Sequence, residues 1–134
     1  MAEPTGAYES FLRRLRRINV ARCARWHGPD TEPWTGADWS NAMCGEAGEV
    51  ANVVKKMRRH ETGTGSVNNP SPEALRVMLG DEIADTLIYL DLLAAHYGLD
   101  LEAAVERKFD AVSVREGFPE RLAASGDSAE VSRG

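Results

Sequence analysis

Thiols, long apolar runs and excess positive charge are all scarce in this chain, and each scarcity removes a class of function. Its two cysteines, Cys23 and Cys44, cannot make a zinc site by themselves, and reduced thiols packed in helices are expected. No apolar stretch approaches the roughly 18 residues that span a bilayer, so no membrane partner is expected. The 16 basic side chains are outnumbered by 21 acidic ones, a net charge of −5, and no general affinity for nucleic acid or an anionic membrane surface is expected. No glutamate is followed three positions later by histidine, which removes the Glu-x-x-His pair of di-iron and di-manganese carboxylate bundles. The opening Met1-Ala2-Glu3-Pro4-Thr5 has neither the basic nor the apolar region of a secretory leader, so a cytoplasmic location is expected.

What remains is a chain of 134 residues, 43% hydrophobic and 28% charged, enough for one compact domain. Apolar residues recur at helical spacing in four segments, which predicts an all-α, four-helix, bundle-like fold over residues 1–122. The first helix, capped by Thr5 or Ser10, runs to about Trp26 with Tyr8, Phe11, Leu12, Leu15 and Ile18 as its buried stripe, and Gly28-Pro29 stops it. Its arginines read as a solvated face, with Arg22 or Arg25 the ones placed to turn towards a phosphate. The second helix starts at Ala37 or Asp38 and ends near Arg59. The glycine-rich, polar segment 61–70 is expected to be a mobile connector. Ser71, Pro72 and Glu73 open a third helix that Gly98 ends, and Asp100 caps a fourth. Residues 123–134 are expected to be a disordered tail. His27, His60 and His96 fall near helix ends, where solvated or capping roles are expected.

The second and third helices share an oddity. On a wheel of about 100° per residue, Trp39, Ala42, Met43, Val50, Val53, Val54 and Met57 form an apolar stripe with Glu46 near its centre and Glu49 at its edge. Leu75, Met78, Leu79, Thr86, Tyr89, Leu93 and Tyr97 form another, with Glu82 central and Asp85 at the matching edge. Each pair is spaced three residues apart and stands beside a glycine. A carboxylate on a core-facing stripe loses hydration worth several kcal/mol, and four together repel one another. A positive charge between them resolves this, and Mg²⁺ or Mn²⁺ accepts carboxylates and a triphosphate together. The alternative is a plain helical interaction module whose acids find arginine partners or reach solvent. On the fourth helix Lys108 interrupts the stripe of Leu101, Ala104, Val105 and Val112, with Arg115 further on; both are placed to suit a polyphosphate. Trp26, Trp34 and Trp39 lie close together in sequence and offer either core packing or stacking on a base.

The doubled acidic motif resembles the MazG-like branch of the all-α nucleoside triphosphate pyrophosphohydrolases. Its E-x-x-E and E-x-x-D elements are carried by Glu46, Glu49, Glu82 and Asp85, within Gly-Glu-Ala-Gly-Glu-Val-Ala-Asn at 45–52 and Asp-Glu-Ile-Ala-Asp-Thr-Leu-Ile-Tyr-Leu at 81–90. The segment from Lys108 to Arg115 is similar to the family's basic C-terminal element, so the resemblance spans about residues 35–120. It implies that the four acids bind Mg²⁺, or Mn²⁺ in its place, and that water attacks the α-phosphorus of a nucleoside triphosphate to give monophosphate and pyrophosphate. Glu46 and Glu49 are the candidate water-activating bases. Lys108 and Arg115, assisted by Lys55 or Lys56, would hold phosphate oxygens, and Trp34, Trp39 and Asn41 would meet the base. A homodimer or homotetramer is implied as well. The chain departs from some relatives in having Gly45 directly before the first motif, and from many in having Asp110 where an asparagine follows the lysine.

Overall fold

A computed structural model describes residues 8–123; the segment 124–134, including nearly all of the expected tail, lies outside the described residues, as does Thr5. Four helices and no strand make up the described residues, an all-α, bundle-like fold: α1 Phe11–His27, α2 Gly36–Glu61, α3 Pro72–His96 and α4 Leu101–Glu116. None of them is long and apolar enough to cross a membrane. The chain divides at Gly98 and Leu99 into two compact units, one holding α1 to α3 and the other α4.

Side-chain chemistry sets the helix starts. Ser10 caps α1 by accepting from the Arg13 N–H, Ser71 caps α3 from Ala74, and Asp100 caps α4 from Ala103. Helix α2 begins at Gly36, slightly earlier than expected, because Thr35 and Asp38 form a capping box. The Thr35 hydroxyl accepts from the Asp38 N–H, and the Asp38 carboxylate accepts from the Thr35 N–H at 2.8 Å. The Thr35 hydroxyl, which donates to the same carboxylate at 2.7 Å, and then the Thr35 N–H hold the Asp38 carboxyl below its ordinary value. At its far end, α4 stops at Gly117, whose left-handed backbone (φ 73°) lets Phe118 donate back to the Ser113 carbonyl at 2.8 Å.

In the first unit α3 is the central element, packing against both α2 and α1. Leu75 and Val53 are fully buried and Trp39 and Ala94 nearly so; a leucine so buried contributes roughly 1.5–3 kcal/mol. Gly36 in the first turn of α2 sits against the Tyr97 ring after α3, and a β-carbon there would overlap the phenol.

Three expectations are corrected. The buried face of α1 is not the stripe through Tyr8, Phe11 and Ile18, all of which are exposed, but the face of Leu12, Leu15, Arg16, Asn19 and Cys23. A polar anchor decides this rotation. Asp91 of α3, 1% exposed, accepts from Arg16 Nε at 2.8 Å and from Asn19 Nδ2 at 3.1 Å, and those donors must face α3. The connector 61–70 is tied down by hydrogen bonds: His60 Nε2 meets the Pro70 carbonyl at 2.7 Å, and Asn69 donates to the Lys56 carbonyl at 3.1 Å. Cys44 is exposed on α2 and is not packed, while Cys23 is half-buried; both are free thiols.

Candidate functional site

Helices α2 and α3 run antiparallel, since Trp39 meets Tyr89 at one end and Met57 lines a hollow with Leu75 at the other. That register carries the middle of α2 past the middle of α3, where the acidic residues stand. Oxygen atoms of Glu46, Glu82 and Asp85 all lie within 4.8 Å of one another. Glu46 and Glu82 are half-buried and Asp85 is exposed, so the acids form a wall and not the dry interior that the wheel predicts. None of the salt bridges among the described residues reaches these three. Burial and then the charges of Asp85, Glu82 and Glu49 push the Glu46 carboxyl above its ordinary range.

Glu49 stands apart. It is exposed, one turn along α2 from Glu46, and accepts from Asn52 Nδ2 at 3.4 Å. The structure therefore brings together three of the four expected acids and leaves the fourth close enough to raise the Glu46 carboxyl. Among the described residues the glycines beside the acids serve no packing: a β-carbon at Gly45, Gly48 or Gly80 would meet nothing within 4 Å.

Glu46 and Asp85 also line a cleft of about 430 Å³, within the roughly 300–1,000 Å³ typical of small-molecule sites. Its other walls are aromatic and polar. Trp34 and Trp39 pack with ring centroids 4.5 Å apart, and His27 meets the Trp34 ring edge-on at 4.9 Å. His27 is thus half-buried in an aromatic group, not a solvated helix end. Tyr89 on α3 and Arg22 on α1 complete the enclosure. Among the tryptophans, Trp39 is buried, Trp34 half-buried and Trp26 largely exposed at the rim.

The remaining expected residues fall elsewhere. Asn41 is exposed on α2 and does not line the cleft. Lys55 is exposed too, its Nζ donating to Asn52 Oδ1 at 3.1 Å. Of the two α1 arginines expected to face a phosphate, Arg22 lines the cleft and Arg25 does not. Lys108 and Arg115 belong to the second unit. There Lys108 borders an apolar groove with Val105, Phe109, Val112 and Phe118, and Arg115 pairs with Glu116 at 2.7 Å. Asp110 accepts from the Leu122 and Ala123 N–H groups at 2.7 and 3.3 Å, which commits its carboxylate to the backbone beyond Pro119.

Two contributors to the cleft escaped the sequence reading, Asn19 and the Asp91 behind it. A signal for Asp91 existed: it is the one charge in the run Leu87 to Ala95, and an acid in such a run requires a donor. No protein-family model matches the chain, and no curated protein matches it.

Proposed function

We propose that this chain is a MazG-like, Mg²⁺-dependent nucleoside triphosphate pyrophosphohydrolase, converting a ribo- or deoxynucleoside triphosphate and water to the monophosphate and pyrophosphate in cytoplasmic nucleotide housekeeping. One observation carries this reading: three carboxylates that no salt bridge among the described residues reaches converge, and two of them, Glu46 and Asp85, line a nucleotide-sized aromatic cleft. The donor set fits the ion, because it consists of hard carboxylate oxygens with no sulfur or nitrogen. Glu46, Glu82 and Asp85 would hold Mg²⁺, or Mn²⁺ in its place, and the bound ion supplies charge neutralisation and acidifies water.

The chain's own residues supply the rest. Glu49 and Glu46 are the candidate bases to take a proton from the attacking water, and Glu49 is the one outside the three-acid group assigned to the ion. As the water oxygen bonds to the α-phosphorus, the bond to the bridging oxygen breaks and pyrophosphate leaves. Trp34 and Trp39 offer stacking surfaces for the base. Lys108 and Arg115 are assigned to phosphate oxygens by family resemblance alone. The homodimer or homotetramer is proposed from the resemblance; exposed Ile18, Val54 and Ile83 in the first unit and Phe109 in the second leave apolar surface for it.

That exposed apolar surface also favours the second reading, a non-catalytic helical interaction module, which gives the converging acids no role. Pyrophosphate release from a panel of nucleoside triphosphates with Mg²⁺ separates the two. Turnover of at least one nucleotide is expected, with Glu49→Ala slower by roughly 10²-fold or more. A blank panel, or full activity in that variant, rejects the mechanism.

A further inference from the structure

The α1 wall of the cleft holds a polar arrangement that the acids do not use. Asn19 is 3% exposed yet lines the cleft. Both of its amide hydrogens are committed, to the Ile88 carbonyl at 3.0 Å and to Asp91 Oδ2 at 3.1 Å, and Asp91 is itself fixed by Arg16. Two oxygen acceptors on one side dictate which end of the amide is nitrogen, so Oδ1 turns the other way. There its partner is Arg22 Nη2, at a long 3.4 Å, and Arg22 makes no other hydrogen bond or ion pair among the described residues. The wall therefore presents a fixed acceptor beside a guanidinium with donors to spare.

We propose that Asn19 and Arg22 read the edge of the nucleobase and favour keto bases (guanine, thymine, uracil, hypoxanthine) over amino bases, with Asp91 as the positioning residue. This rests on the reading of the cleft as a nucleotide site. A guanidinium only donates, and a carbonyl oxygen offers its forked N–H groups two lone pairs where a ring nitrogen offers one. In a keto base the ring N–H stands beside that carbonyl and donates to Asn19 Oδ1. An exocyclic amino group turned towards Arg22 sets donor against donor, and an amino base turned over, its amino group on Asn19 Oδ1, gives Arg22 only a ring nitrogen.

The test needs neither metal nor turnover. Intrinsic tryptophan fluorescence of the full chain in EDTA is titrated with dGMP, dUMP, dAMP and dCMP. The keto nucleotides are expected to have midpoints lower by roughly fivefold, and Asn19→Ala and Arg22→Gln to bring all four within about twofold. Substituting exposed Arg22 leaves the Asn19–Asp91 bonds intact, so that variant decides even where Asn19→Ala fails to fold. No response to any nucleotide, equal midpoints in the wild type, an amino preference, or an unchanged ratio in Arg22→Gln overturns the proposal. Pyrophosphate release is scored separately: a blank there removes the hydrolase reading and leaves the base preference standing or falling on the titration.

Discussion

Gly36, in the first turn of α2, has no room for a β-carbon because the phenol of Tyr97, which caps α3, occupies that space. Gly36→Ala must displace the ring or shift the helix start, and because the Tyr97 ring is exposed and its tip can swing aside the cost is about 1 kcal/mol, the low end for overpacking. Urea unfolding should show that loss, and Tyr97→Ala in the same chain should recover most of it. Additive losses in the double variant would mean that the two residues do not compete for this space.

Asp91 is the second point where one side chain decides how helices pack. Asp91→Ala removes the buried acceptor that Arg16 Nε and Asn19 Nδ2 share. Breaking one side of such a buried pair costs about 3 kcal/mol or more, so the urea midpoint should fall sharply. Asp91→Asn keeps the volume and an acceptor and should fall less.

These two relationships show which parts of the fold the sequence makes legible. Helix ends written in local chemistry, such as Ser71 with Pro72 or Asp100 before α4, are readable because the cap bonds lie within three residues. The acidic pairs on α2 and α3 are readable because carboxylates contradict an apolar stripe. The rotation of α1 is not, because Phe11 and Ile18 match a buried stripe while a bond between Arg16 and Asp91, 75 positions apart, turns another face inward. The aromatic group of His27, Trp34 and Trp39 likewise depends on how the chain between α1 and α2 folds back, which no periodicity records.

The Glu46 carboxyl is held above its ordinary value of 4.5, first by burial and then by Asp85, Glu82 and Glu49. The folded state therefore takes up a proton before the unfolded state does, and metal-free stability should rise as pH falls from neutrality through the raised value towards 4.5. Glu46→Gln should remove that dependence and raise the metal-free Tm at neutral pH by about 2 °C or more. Thermal melts of both proteins in EDTA across that range provide the check; parallel curves would show that the acids do not repel.

Addition of Mg²⁺ should stabilise the wild type by about 2.7 kcal/mol at a concentration 100 times its Kd. Asp85→Asn removes one of three converging charges and should abolish most of the gain. Melting temperature against Mg²⁺ concentration measures both, and a flat wild-type curve would exclude an ion at these acids.

In the second unit, Asp110 secures the backbone at Leu122 and Ala123. Asp110→Ala should cost about 1 kcal/mol or less overall. Hydrogen exchange at those two amides should nevertheless quicken by roughly tenfold, because local opening is all that protects them. Unchanged exchange would mean that other contacts hold this segment.

Gly45, Gly48 and Gly80 each forgo about 1 kcal/mol of helix propensity relative to alanine, with open space where a side chain would fit. Bare peptide groups consequently border the acids on two helices. Truncating side chains one by one leaves that border untouched, so whatever it contributes to gripping a ligand escapes a conventional alanine scan and emerges only when something bulky is grafted onto it.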